Sequence, residues 1–250
     1  MTLAPFFYDP LNLLAVAVLF VWTGFARTGL GFGGAALGLP LLLLIEPAPL
    51  LWLPMIGLHL LLFSTLTLAS RLPTVDWLYL RRCCGWIIPP AIVGVLGLVS
   101  LPNTWLLLFI YGTTLIYALL WVSGKHLHTH STFTDRILLI LGGYIAGTSL
   151  TGAPLIVAVS MRHLTRHALR NTLFVLWFLL VSIKMLALAM LSVDLQVINA
   201  MLLLPVAAIG HVLGMKCHER LIANDVLFKR TIGWGLLMVC LIGSYRLLII

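Results

Sequence analysis

The chain has 250 residues, 15 of them Lys or Arg and 7 Asp or Glu, and 62% are hydrophobic. Charged residues make up 9%, against roughly a quarter in an ordinary soluble domain. A water-soluble monomer cannot hide so much apolar surface, so a soluble enzyme and a nucleic-acid-binding domain are both excluded despite the net charge of +8. This is the composition of an integral membrane protein, in which surplus Lys and Arg report orientation.

A bilayer core about 30 Å thick takes roughly 20 apolar residues per helix. From the N-terminus, Leu11 to Ala26 is apolar, Arg27 interrupts, and Phe32 to Ile45 resumes, with Gly24, Gly29, Gly31, Gly33 and Gly34 around the break. The run is too long for one helix and too rich in glycine at its centre to stay helical. It predicts a broken helical hairpin. Ala48 to Ser70 then predicts a straight span, and Gly85 to Leu101 a shorter one kinked at Pro89 and Pro90. Asn103 to Gly124 completes the first half.

Lys125 to Arg136 is a short joint. Ile137 to Met161 repeats the broken pattern at Gly142, Gly143, Gly147, Thr148, Ser149, Thr151, Gly152 and Pro154. Spans are predicted at Asn171 to Leu191, which contains Lys184, at Leu195 to Met215 and at Thr231 to Ile250. No Lys or Arg precedes the first apolar run and no small-residue cleavage site stands out, so no cleavable signal peptide is expected. Cys83, Cys84, Cys217 and Cys240 lack zinc-ligand spacing. The first two follow Arg81 and Arg82, which suits a reduced, cytoplasm-facing loop.

The chain is internally repeated. Gly24 and Gly33 fall on Gly143 and Gly152 with an offset of 119, Val75-Asp76 on Val193-Asp194 with 118, and Pro89 and Gly94 on Pro205 and Gly210 with 116. Three similar offsets in order point to duplication, with halves at residues 1–124 and 125–250 forming one membrane domain. Twelve of the 15 basic residues fall in four groups: Arg71, Arg81 and Arg82; Lys125 and Arg136; Arg162, Arg166 and Arg170; and Lys216, Arg220, Lys229 and Arg230. All four reach the cytoplasm if each half is a hairpin plus three crossings and the halves run in opposite directions. The expected fold is all-α, two inverted repeats, with both termini outside the cytoplasm. Inverted repeats with broken segments are a transporter signature.

Gly29-Leu-Gly-Phe-Gly-Gly34 matches G-x-G-x-x-G. A dinucleotide site would need a preceding strand and a soluble domain, and neither is present. Close helix packing and a ligand-lining break both remain open for these glycines. Arg27 and Lys184 are the strong charges inside apolar segments, where a charge faces a partner, a wet cavity, a ligand or an interface. No Asp or Glu lies within the spans to neutralise them, so the missing counter-charge points to an anionic substrate. His59 and His211 are either hydrogen-bonded packing residues or proton carriers on a pathway. His126, His128 and His130 read as a solvated loop or as part of a metal site, which would need more ligands; no metal is expected. Asp76 and Asp194 are expected to cap the helices that follow.

Taken in order, Gly24 to Gly38 with Pro40, Thr74-Val-Asp-Trp77, Gly94 to Gly97, Gly142 to Pro154, Val193-Asp194 and Gly210 to Gly214 resemble the sulfite exporter TauE/SafE family. The resemblance runs from about Leu11 to Leu248. One departure is Thr151-Gly-Ala-Pro154, where family members carry a fuller glycine run. The resemblance implies a multi-pass protein of the bacterial inner membrane that transports sulfite, sulfonates or related organosulfur anions. The residues expected to bind substrate are Arg27, Gly29, Gly31, Gly33, Gly34, Thr148, Ser149, Thr151, Gly152 and Lys184, lining one site from both breaks. No Walker A motif is present, so a gradient rather than ATP is expected to drive alternating access. No cofactor and no nucleic-acid partner are expected, and association as a homodimer stays open. The rival reading is a non-transporting membrane partner or assembly factor that packs through its glycines. An enzyme is not expected, because no nucleophile–base pair lies in the spans.

Overall fold

The computed structural model describes residues 3–30, 34–68, 71–124, 131–223 and 225–249. Among these the chain is all-helical, with no strand. In order, α1 is Pro10–Leu30, α2 Gly34–Ile45, α3 Pro49–Leu68, α4 Trp77–Ser100 and α5 Asn103–Val122. They are followed by α6 Thr132–Ser149, α7 Ala153–His163, α8 Arg166–Met190, α9 Val197–Ala223 and α10 Asp225–Ile249. Six are long and apolar enough to cross a bilayer: α1, α3, α4, α5, α8 and α9. Each half of the chain therefore holds a broken pair followed by three longer helices.

The ends follow ordinary capping chemistry. Pro10 and Pro49 open α1 and α3, where a missing N–H costs nothing. Asp76 accepts the Tyr79 N–H at 2.8 Å, Ser131 the Thr134 N–H at 3.1 Å, and Thr165 the Ala168 N–H at 3.4 Å. Asp76 is thus a cap. Val197 opens α9 three residues beyond Asp194, so the second Val-Asp pair does not sit immediately at its helix start.

Several helices overrun the limits that hydropathy suggests. α4 starts at Trp77, placing Arg81 and Arg82 on exposed helical turns rather than in a loop. α8 starts at Arg166 and so includes Arg170. α9 runs through Lys216 to Ala223, and α10 begins ahead of Lys229 and Arg230. The apolar limit marks where lipid ends, whereas backbone hydrogen bonding carries a helix on until a cap or breaker stops it. The joint's His126, His128 and His130 lie outside the described residues.

The chain divides into two compact units, and each draws on both sequence halves. The first takes the described parts of Met1–Ile56, Leu101–His126 and Gln196–Ile250. In it α1 lies along α9, α10 lies along α5, and α2 packs against α1 and α10. Val16, Phe20, Thr23 and Arg27 of α1 are buried while Leu11, Leu14 and Val18 are exposed. That spacing of three and four residues separates a packed face from a lipid-facing one. Ala26, Leu37, Ala118 and Leu236 form a hydrophobic core cluster, flanked by Trp22 and Trp121.

The second unit takes Gly57–Ser100 and the described parts of Leu127–Leu195. Here α4 lies along α6, α7 folds back on α6, and α8 packs on α4. Side chains tie the helix ends: Tyr79 donates its hydroxyl to Ser160 at 2.9 Å, the Asp76 N–H reaches the Thr172 hydroxyl at 2.9 Å, and Asn171 donates to Thr74 at 2.7 Å.

The same close approaches occur in both units. A Cβ on Gly143 would strike the Ile87 carbonyl, and one on Gly24 the Ala207 carbonyl. A Cβ on Gly94 would meet the Tyr144 carbonyl and lie 2.9 Å from the Thr148 nitrogen. On Gly214 it would lie 2.6 Å from the Phe25 carbonyl and 2.9 Å from the Gly29 nitrogen. These contacts relate α1 to α6 by 119 residues and α4 to α9 by 120, as do the starts of α4 at Trp77 and α9 at Val197. The match of Gly94 with Gly210 is thus one helical turn out of step with the packing. A four-residue slip keeps the same helix face, and the second glycine of Gly210-x-x-x-Gly214 is the one that packs like Gly94.

Candidate functional site

In the first unit the break follows Leu30, and Gly31 and Gly33 lie outside the described residues. Arg27, in the last turn of α1, is buried at 8% exposure. α2 begins directly over it. A Cβ on Gly34 would sit 2.8 Å from the Arg27 Cβ and 2.9 Å from the Thr23 carbonyl, so only glycine lets the two half-helices meet so closely. The Trp22 indole donates to the Leu37 carbonyl at 3.3 Å, further tying α1 to α2. Arg246 donates to the Leu44 carbonyl at 3.0 Å, satisfying one of the carbonyls left over at the end of α2.

His211 belongs to this break. Its Nδ1 lies 2.6 Å from the hydroxyl of Thr28, the residue between Arg27 and Gly29. Both side chains and Gly29 are buried. Sequence reading singles out His211 but not Thr28. The available signal is the repeat: Thr28 is the α1 position 119 residues before Gly147, a glycine of the other break.

In the second unit α6 ends at Ser149, and Leu150 turns the chain through a left-handed conformation (φ 60°) with its N–H on the Ala146 carbonyl. Thr148 donates to the Tyr144 carbonyl at 2.9 Å and Ser149 to the Ile145 carbonyl at 3.0 Å. The Ser149 and Thr151 hydroxyls are 2.6 Å apart. All three side chains are fully buried. Gly152 precedes α7 without a side-chain cap, and Pro154 lies in the first turn. The N-terminus of α7 therefore carries a partial positive charge with no side chain of its own to meet it. Gly152 rests on the Gly142 carbonyl, where any Cβ would collide.

Lys184 belongs to the same unit. It is completely buried on α8, among the largest fully enclosed side chains, and its Nζ has no hydrogen-bond partner among the described residues. The neighbouring Val181 and Met185 face Gly57 of α3, where a Cβ would lie 2.8 Å from the Met185 sulfur. His59, also on α3, is 2% exposed and packs edge-on to Phe63 with ring centroids 6.4 Å apart. Asp135 in the first turn of α6 is buried too, but Arg162 and His163 meet it. Among the described residues no three His, Cys, Asp or Glu side chains gather into a metal site.

The residues singled out from sequence thus fall into two sets. Arg27, Gly29, Gly34 and His211 gather at the first break, and Thr148, Ser149, Thr151 and Gly152 at the second, with Lys184 and His59 elsewhere in the second unit. A family model described as "Sulfite exporter TauE/SafE" matches residues 15–243. The chain belongs to this family. As a TauE/SafE protein it is a multi-pass inner-membrane transporter, from a family implying sulfur anions such as sulfite as cargo. No curated protein and no solved structure matches it. Its substrate contacts must therefore be argued from its own residues.

Proposed function

We propose that this protein is a secondary transporter for a small sulfur oxyanion or organosulfonate, working by alternating access of two inverted repeats. The observation that carries the reading is Lys184, fully buried and without a hydrogen-bond partner among the described residues, in a family of sulfur-anion transporters. A buried ammonium costs several kcal/mol unless something restores its lost solvation, and a bound anion is the group that does so. Arg27 supports the same reading in the first unit. The uncapped start of α7 supports it in the second, because free N–H groups at a helix N-terminus favour negative charge. Broken helices that present such ends are the device by which membrane transporters hold charged cargo.

The test is flux into liposomes containing the purified protein, with sulfite, methanesulfonate and chloride as candidate cargo. Uptake of one or more sulfur anions well above chloride, absent from empty liposomes, is the expected result. No sulfur-anion flux in either direction, from protein shown to be folded, would contradict the proposal in favour of a non-transporting membrane partner.

A further inference from the structure

The Thr28–His211 hydrogen bond stands where the other unit has none. The packing offsets of 119 and 120 residues place Thr28 and His211 at the positions of Gly147 and Ala91. There the contact is backbone on side-chain-free backbone: a Cβ on Gly147 would run into the Ala91 carbonyl. The crossing of α4 with α6 therefore holds without polar side chains at this point. The α1–α9 crossing carries instead a hydroxyl and an imidazole, 1% and 9% exposed, at a separation of 2.6 Å. Burying two polar groups costs desolvation, which hydrogen bonding must offset. Packing does not require them.

We propose that His211 is a positioning residue that couples proton uptake to anion binding by setting which way the Thr28 hydroxyl donates. This rests on the anion-transport reading above. With a lone pair on Nδ1, the imidazole accepts the Thr28 O–H and that hydrogen is spent on it. When a proton from solution adds to Nδ1, the new N–H donates to the Thr28 oxygen, and the hydroxyl hydrogen must turn elsewhere. Thr28 stands between Arg27 and Gly29 in the last turn of α1, so the released donor belongs to the break. One proton taken up thus gives the break one more donor and one more positive charge, balanced by one bound anion. By linkage the bound anion favours the proton by the same factor.

Among the described residues α2 carries no titratable side chain, and α1 brings Arg27 next to Thr28. α10 carries Asp225, Lys229 and Arg230 at its start, Cys240 further on, and Tyr245 and Arg246 near its end. On α9 itself Lys216, Cys217, His218, Glu219 and Arg220 follow His211 by more than a turn.

The experiment measures sulfite binding to the purified full chain and to His211→Asn and Thr28→Val, between about pH 6 and pH 8, where histidine ordinarily titrates. Sulfite takes a proton in this range too, but that effect is common to all variants and cancels in the ratio to the parent. Asn offers His211's contact to Thr28 without the titration, and Val keeps the shape of Thr28 without the hydroxyl. The parent's affinity relative to either variant should rise by about five- to tenfold from the alkaline to the acidic end, within the usual range of coupling between sites. Thr28→Val is decisive, because it removes the released donor while His211 and its added charge are still present. A parent-like pH profile in either variant would overturn the proposal, and in Thr28→Val it would show that His211 acts without the hydroxyl. If the single variants fail to fold, Thr28→Gly/His211→Ala imports the pair that the other unit already packs. The same loss of pH response is expected of it, and retention of the response would again overturn the proposal. Failure of the parent itself to bind any sulfur anion would instead count against the transport reading.

Discussion

Asp135 accepts hydrogen bonds from Arg162 at 3.0 Å and His163 at 2.8 Å, so one buried carboxylate joins the first turn of α6 to the last turn of α7. His163 in turn lies against Tyr79 of α4, with ring centroids 5.9 Å apart, and Tyr79 reaches Ser160. The two outer ends of the second hairpin are held together there, while their inner ends are separated by the Leu150–Gly152 break.

Asp135→Ala should therefore loosen the hairpin at its closed end. Arg162 and His163 are partly exposed and can recover water, so the cost should be about 1–3 kcal/mol rather than that of a stranded buried charge. Asp135→Asn, which keeps an acceptor, should lose less. Melting temperatures of the purified variants in detergent check the order; equal stability of all three proteins would show that the cluster contributes nothing.

Gly34→Ala should be far more damaging than an alanine elsewhere in a helix. The added methyl would lie 2.8 Å from the Arg27 Cβ, and neither half-helix can retreat without opening the break. A loss of about 1–3 kcal/mol is expected, as for other overpacked positions, together with reduced transport. Gly112 on α5 is the control: nothing lies within 4 Å of its would-be Cβ, so Gly112→Ala should be neutral or stabilise by up to about 1 kcal/mol. Comparable melting temperatures for the two variants would contradict the packing argument.

Both breaks are legible in the sequence because glycine and proline cannot hide in an apolar segment. The helix ends are less so, since α4 and α9 continue through Arg81, Arg82 and Lys216 where hydropathy has already fallen. Register between the halves fails for a different reason. Gly210 and Gly214 lie on one helix face, so the sequence match cannot tell which of them answers Gly94; only contact with Phe25 and Gly29 decides. Nor does the sequence reveal that α1 packs on α9 and α6 on α4, because each pair joins segments from opposite halves. Thr28 has no signal of its own. A lone threonine in an apolar helix commonly bonds its own backbone, and its importance depends on a histidine 183 residues away.

Orientation is tested by labelling. The basic-residue bias puts the joint in the cytoplasm and both chain ends outside. In a variant lacking Cys83, Cys84, Cys217 and Cys240, an impermeant thiol reagent applied to intact cells should miss a cysteine placed at the joint and label one placed at the C-terminus. The opposite pattern would reverse the assignment.

The central claim is that the buried ammonium of Lys184 reads the charge of the cargo, and sulfite binding by Lys184→Met tests it most directly. Methionine keeps much of the apolar stem and removes only the charge, so this variant should melt without ligand at or above the temperature of the parent. Losing one charge-assisted contact in a partly dry site should weaken binding by about 1.5–3 kcal/mol, roughly ten- to a hundredfold. Lys184→Arg should retain part of the affinity, because the charge survives although its shape changes. If Lys184→Met binds sulfite as tightly as the parent, the lysine is a packing residue and the assignment is wrong.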